Sequence, residues 1–443
     1  MGHDRLETKN ARVADPRYAR SEALLERARR TIPLGAQTFS KSVTQFPLGV
    51  SPYFAARAQG STLWDVDGNA YVDFMNALCS VTLGYADPDV NAAVEKQLRD
   101  GTIFSLSHQL EAECAERIVR IVPCAEMVRF GKNGSDATAG AVRIARAYTG
   151  RDHVLVCGYH GWQDWYIGST ARNLGVPEAT RELTHSFPYD DLPALEAKLL
   201  ALKGQVAAVI LEPMNVKLPS AGYLEGVQRL AREHGAVLIF DETITGFRFA
   251  NGGAQELFGV TPDLCTLGKG IANGFPLSAV AGRADLMRLM EEVFFSFTMG
   301  GEALSLAAGC ATMDKLEREP VVETMAAQGA RVMGAAAALV EKHGLGQVLS
   351  LAGHPSWSFL VMADQPGATA FELKTLFLQE VFARGVLTLG THNMSFAHGD
   401  AEVERLLTVY DEVFPILAEA LAAGDVVGRL RCDPLQPLFK VRG

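Results

Sequence analysis

Short apolar runs recur through the middle of the chain with amphipathic stretches between them. MVRF (127–130), HVLVC (153–157), VAAVIL (206–211), AVLIF (236–240), LCTL (264–267) and SAVAG (278–282) read as buried strands. Between several of them lie helical patterns such as ATAGAVRIARAYT (137–149) and YLEGVQRLAREHG (223–235). This alternation predicts an α/β domain with a mostly parallel central sheet covered on both faces. Ligands of such sheets bind at the carboxyl ends of the strands, so candidate chemistry is expected just after each run.

The flanks read differently. YARSEALLERARRT (18–31) has the pattern of an amphipathic helix, broken by Pro33 and Gly35. GSTLWDVDGNAYVDF (60–74) sets two apolar runs around Asp67-Gly68, a hairpin turn signal. Beyond about residue 315 come WSFLVMA (357–363), LKTLFLQEVFARGV (373–386) and a last helix around 401–423. These segments predict a smaller α+β domain built from both ends of the chain: 1–75, a large domain over 76–315, and 316–443.

Composition narrows the function classes. The 443 residues exceed one simple core, which fits a large domain plus a smaller one. A net charge of −10 without basic blocks argues against nucleic acid as a partner. Seven cysteines, an odd number without a CxxC pair, argue against a disulfide framework or a zinc ribbon and fit a reducing cytoplasm. MGHDRLETKNAR lacks the apolar core of a signal peptide, and no apolar run is long enough to cross a bilayer. No metal site is expected.

Four candidates follow strands. Lys269 comes after Leu264–Leu267, flanked by Gly268 and Gly270, which let the backbone approach another group closely. A desolvated lysine there would be a usable amine nucleophile; the plainer reading is a surface charge. Asp241 ends AVLIFD and needs a cationic or hydrogen-bonded partner, either a protonated pyridine nitrogen or an arginine. Gly134 and Ser135 open a helix, a place for a phosphate or simply a cap to which Asp136 contributes. Tyr159, in CGYHGW, can stack on a planar heterocycle or pack in the core, and His160 beside it can help orient the ring.

The order of these features, with LLERARRTIPLGAQTFSK, LWDVDGNAYVDF, NGSDATAGAVRIARAYTGR, YHGW, LEPMN, DETITGFR, LGKGIANGFPLSAVAGR and FTMGGEALS, resembles the class III, fold-type I aminotransferases that use pyridoxal 5′-phosphate (PLP). Among these it is most similar to glutamate-1-semialdehyde aminomutases and their sugar-modifying relatives, from about Ser21 to about Leu421. The resemblance implies that Lys269 holds PLP as a Schiff base and shuttles a proton. It implies that Asp241 pairs with the ring nitrogen, Tyr159 stacks on the ring, and Gly134 and Ser135 hold the phosphate. Glu212 would support the site, and Thr243 would stand against the ring where the family usually has valine. Thr298 would reach the phosphate of a neighbouring subunit, which makes a homodimer the expected unit.

Departures from the family pattern bear on the substrate. Lys41 stands where the aminomutases carry a carboxylate-clamping arginine, and lysine lacks arginine's bidentate fork. The C-terminal stretch GTHNMSFAHGD (390–400) has no arginine; His392, Asn393 and His398 are its polar alternatives to an ordinary loop. Arg248 is a candidate for holding an amino-acid donor, while Glu302 and Asp136 are candidates for meeting a cationic aminosugar. The expectation is a ping-pong aminotransferase that takes an amine from a small-molecule donor to a carbonyl of a sugar or aminoglycoside-type intermediate. An intramolecular aminomutase, another PLP reaction such as sugar dehydration, and a non-catalytic PLP-binding protein are the alternatives.

Overall fold

The computed structural model describes residues 15–436. The strands run in chain order as β1 (Ala55–Gln59), β2 (Thr62–Asp65), β3 (Ala70–Asp73), β4 (Met127–Gly131), β5 (His153–Cys157), β6 (Thr184–Ser186), β7 (Val206–Leu211), β8 (Val237–Asp241), β9 (Leu264–Leu267), β10 (Ser278–Gly282), β11 (Leu349–His354), β12 (Trp357–Met362), β13 (Val386–Leu387) and β14 (Thr391–Asn393). The chain divides into two compact units. One is Ala77–Thr324; the other joins the described residues up to Asn76 with those from Met325 onward.

The larger unit is built on a seven-stranded sheet in the order β4-β10-β9-β8-β7-β5-β6. The pairings from β9 to β6 are parallel. The sheet is mixed, because β10 runs antiparallel to both β9 and β4. Strand residues alternate between two cores, as the two-residue period of a strand requires. Val154, Val156, Ala208, Ile210, Val237 and Ile239 pack with Ala137, Ala141 and Ile144 of the helix Gly134–Thr149. Their neighbours Leu155, Val209, Leu211, Leu238 and Phe240 pack with Leu195 and Leu199 of Leu192–Ala201 and with Val227 and Leu230 of Tyr223–Glu233 on the other face. Each fully buried aliphatic side chain contributes about 1.5–3 kcal/mol, so both faces must be covered for the sheet to hold.

The smaller unit takes the predicted hairpin as β2 and β3, antiparallel around Gly68 at φ 92°. Asp65 holds the turn, accepting from the Asp67 and Asn69 amides at 3.0 and 2.8 Å and from the Tyr71 hydroxyl at 3.0 Å. Asp67 in turn caps the first helix, Ala19–Ala28, through the amides of Arg20 and Ser21. β13 adds to β3 in parallel, which ties the C-terminal segment to the N-terminal one. A second sheet, β11-β12-β14, is antiparallel throughout. All seven cysteines are buried and none is disulfide-bonded. No helix among the described residues is long and apolar enough to cross a membrane.

Candidate active site

Register brings the candidates to one edge of the large sheet. Cys157 pairs with Leu211 and Leu211 with Phe240, so Tyr159, His160, Glu212 and Asp241 follow neighbouring strand ends. Asp241 is level with Thr266, three residues before Lys269. At the far side Gly131, the end of β4, pairs with Ser278, the start of β10, just before the helix that opens at Gly134.

Asp241 is the electrostatic centre. It is buried, and its carboxylate collects four donors. The His160 Nδ1–H donates to Oδ2 at 2.8 Å. Oδ1 accepts from the Thr243 amide at 3.1 Å, the Thr243 hydroxyl at 2.5 Å and the Thr266 hydroxyl at 3.0 Å. Burial alone would push this carboxyl up. The His160 and Thr243 bonds outweigh it and hold Asp241 below the ordinary carboxylate value. Asp241 is therefore kept as an anion at a strand end, ready for a cationic partner. Its donors are a histidine and two threonines, with no arginine among them.

The remaining groups are arranged around this anion. His160 is fixed from behind by its backbone carbonyl, which accepts from the Thr138 hydroxyl at 2.8 Å. Glu212, buried, accepts from the Tyr159 amide at 2.9 Å. The Tyr159 ring is partly exposed and meets the Tyr166 ring edge-on at a centroid distance of 5.7 Å. Tyr166 is held by a hydroxyl bond of 2.8 Å to the Gly158 carbonyl. The YHG turn requires its glycines. Gly158 and Gly161 have φ of 108° and 105°, and a Cβ on Gly161 would stand 2.2 Å from Ser135 Oγ.

Asn133 caps the helix Gly134–Thr149, and Asp136 completes a reciprocal capping box. The first amides of that helix, Gly134 and Ser135, have no acceptor within the helix, and the dipole end is positive. Ser135 Oγ accepts from the Trp162 amide at 3.2 Å. Cβ atoms on Gly134 and Gly268 would press the Thr243 methyl at 3.0 and 3.1 Å. Glycine on both sides thus leaves a narrow cradle in which Thr243, the helix start and the Lys269 turn converge. Lys269 is half-buried and has φ of 45°, a left-handed conformation costly for a side-chain-bearing residue. A Cβ on the next residue, Gly270, would lie 2.4 Å from the Thr82 hydroxyl.

Thr298 stands on an exposed turn of the same unit. Lys41 is exposed in the smaller unit, at the end of the short helix Phe39–Lys41. Four expectations need correction. Arg248 is among the largest fully buried side chains, and its guanidinium donates to the Cys79 carbonyl at 3.2 Å. That bond braces Cys79, the last of four consecutive non-glycine residues at positive φ, in place of the exposed clamp expected. Asp136 is committed to its capping box, with its Oδ2 accepting from the Lys132 and Asn133 amides. Glu302 caps Ala303–Arg318 and pairs with Lys132 at 3.1 Å, so neither acid waits for an aminosugar.

His392 is the fourth. β14 pairs with β12, which buries it completely between the Ser358 hydroxyl at 2.9 Å and the Tyr410 hydroxyl at 2.7 Å. Its neighbours Asn393 and His398 are buried as well. Burial, ahead of the charge of His398, pushes the His392 imidazole from 6.5 down to about 4. Between those values the unfolded chain takes a proton that the folded one refuses, so stability falls as pH drops through that window. The loss from His392 alone is about 3 kcal/mol. Urea midpoints compared at pH 7 and pH 4.5 are expected to fall less for His392→Gln than for the parent; equal falls would contradict this.

Sequence patterns did not single out Thr266, Thr138 or Tyr166. The signal for Thr266 was present as the one hydroxyl in the apolar run LCTL. The other two act through backbone carbonyls that no pattern reveals.

The residues fit PLP. A buried anion would suit a protonated ring nitrogen, a partly exposed tyrosine ring offers a stacking face, a helix start suits a phosphate, and a lysine follows the adjoining strand. Similarity to known proteins agrees. Residues 46–397 match the family described as aminotransferase class-III. The 3-aminobutyryl-CoA aminotransferase of Cloacimonas acidaminovorans is 33% identical over 87% of this chain and 94% of that protein. A glutamate-1-semialdehyde 2,1-aminomutase of Symbiobacterium thermophilum is 37% identical over 91% of this chain and 99% of its own length. The FumI protein of Sphingopyxis sp. MTA144, solved in its PLP internal aldimine form, superposes with a TM-score of 0.85 at 30% identity, covering 91% of this chain and 98% of that one. A match of that extent, on a site with this geometry, places the chain in the class-III aminotransferases, enzymes that use PLP.

Proposed function

We propose that this aminotransferase moves an amine between a small-molecule donor and a carbonyl that has no carboxylate beside it, on a sugar or aminoglycoside-type intermediate. The observation that carries the reading is the fate of the arginines expected to grip a carboxylate. Arg248 is buried against the Cys79 carbonyl, and Lys41 replaces the aminomutase arginine. A polyol or a cation needs no bidentate fork. A second reading, a β-amino thioester substrate, is favoured by the 33% identity to the 3-aminobutyryl-CoA enzyme over nearly its whole length.

When bound, PLP supplies an aldehyde that condenses with amines and a ring that accepts electrons. Lys269 would hold it, Asp241 would keep its ring nitrogen protonated, and the Gly134 and Ser135 amides would receive its phosphate. The Lys269 amine would also be the general base that moves the proton at the donor carbon. The acceptor would then take the amine in a second half-reaction, giving ping-pong kinetics.

A spectral screen tests this. Holoenzyme is mixed with amino acids and aminosugars, and conversion to the pyridoxamine form is followed. Keto-sugars and a β-keto thioester are then offered as acceptors, with products weighed by mass spectrometry. Reversal by keto-sugars alone supports the first reading, and reversal by the thioester alone supports the second. Conversion of glutamate-1-semialdehyde without any donor would overturn both in favour of a mutase.

A homodimer is part of the proposal. Ile103, Phe104 and Leu106 are exposed, as are Phe294, Phe297 and Met299 flanking Thr298. The Ala303 amide bonds the Thr102 carbonyl at 2.8 Å, which brings the two segments near one another, and exposed apolar side chains of this kind suit a partner copy. A monomeric mass in sedimentation would refute it.

A further inference from the structure

We infer that Thr243 is a positioning residue that tunes the cofactor through Asp241, with its hydroxyl drawing charge from the carboxylate and so loosening that carboxylate's hold on the ring-nitrogen proton. The inference rests on PLP being the cofactor and is independent of the acceptor's identity. A carboxylate has about four lone-pair sites, two on each oxygen. Oδ1 is crowded by the Thr243 amide, the Thr243 hydroxyl and the Thr266 hydroxyl at 3.1, 2.5 and 3.0 Å. Oδ2 meets only His160 among the bonds described, at 2.8 Å. Oδ2 is therefore the oxygen that would receive a ring N–H, beside the histidine bond. Oδ1 serves as the atom by which the protein adjusts the strength of that contact.

The Thr243 hydroxyl has the shortest of the four contacts, and charge-assisted bonds are the strong ones. Each donor on a carboxylate stabilises the anion and makes it a weaker base toward any further proton. Valine has the same shape without the hydroxyl, so Thr243→Val isolates that one group. The side chain reaches the carboxylate and the cradle at once. Its methyl group faces Gly134 and Gly268, while its hydroxyl turns to Oδ1. The orientation of Asp241 does not depend on this hydroxyl, because the Thr243 amide, Thr266 and His160 still hold both oxygens.

The test uses holoenzyme loaded with PLP carrying 15N at the ring nitrogen. In Thr243→Val the resonance is expected to move toward the protonated-ring position, and the PLP dissociation constant to fall by up to about tenfold, the factor for one pKa unit. Thr243→Ser should restore the parent values, which a packing role for the methyl group would not do. Thr266→Val removes a different donor from the same oxygen and should move the resonance the same way, so the inference remains testable if Thr243→Val fails to fold. An unmoved resonance in a folded Thr243→Val overturns it, as does an unmoved resonance in Thr266→Val where Thr243→Val does not fold. So does weaker PLP binding in Thr243→Val restored by Thr243→Ser, which would show the hydroxyl donating to the cofactor instead.

Discussion

Lys269→Ala is expected to abolish the visible absorbance of a lysine-bound cofactor, to leave no cofactor-labelled peptide after borohydride reduction, and to slow turnover at least about a thousandfold. The backbone around this lysine is the first reason. Gly268 is extended, Lys269 lies at φ 45°, and Gly270 passes the Thr82 hydroxyl where a Cβ would collide at 2.4 Å. That turn is bent at a cost, directly after β9, whose Thr266 is level with Asp241. Alanine keeps the bend and removes the amine, so the variant should fold and bind PLP without linking to it. Lys269→Arg separates charge from nucleophilicity: it keeps a cation there but should equally give no labelled peptide. A parent protein that takes up no PLP and stays colourless would sink the assignment.

Much of what places Lys269 at that edge is legible in the amino-acid sequence. Apolar runs locate β5, β7, β9 and β10 to the residue, because each is buried on both faces and reads as a continuous block. Candidate residues follow β5, β7 and β9, as the geometry of such sheets leads one to expect. β6 leaves no such trace, since Thr184–Ser186 is a short polar edge strand. The antiparallel course of β10 is also hidden, because a buried run carries no mark of direction. Polar residues mislead where a helix end or a second strand claims them. Asp136 and Glu302 have the spacing of acids near a pocket, yet caps satisfy them. His392 has the sequence setting of a loop residue, and the pairing of β12 with β14 buries it. Arg248 sits in a motif, but it is buried and bonds the Cys79 carbonyl at the end of a left-handed stretch that contains no glycine and so gives no signal.

Asp241→Asn carries the other large effect and links the site to folding. The substitution keeps shape and removes charge. Four donors would then face an amide, one of whose two polar atoms is itself a donor, so at least one bond is lost. Removing one partner of a buried ionic contact costs about 3–5 kcal/mol, or roughly a hundred- to several-thousandfold in PLP affinity. Turnover should fall with it, since the ring nitrogen loses the anion that keeps it protonated. The pH dependence has a definite sign. Asp241 is held below the ordinary carboxylate value, so its contribution to stability is fully present above about pH 3.9 and is lost as pH falls through the folded value. Urea midpoints of the cofactor-free parent and of Asp241→Asn should therefore differ at neutral pH and converge in acid. A gap that stays constant down to pH 2 would mean that Asp241 is not held as an anion in the fold. Retained PLP affinity in Asp241→Asn would mean that this anion does not meet the ring.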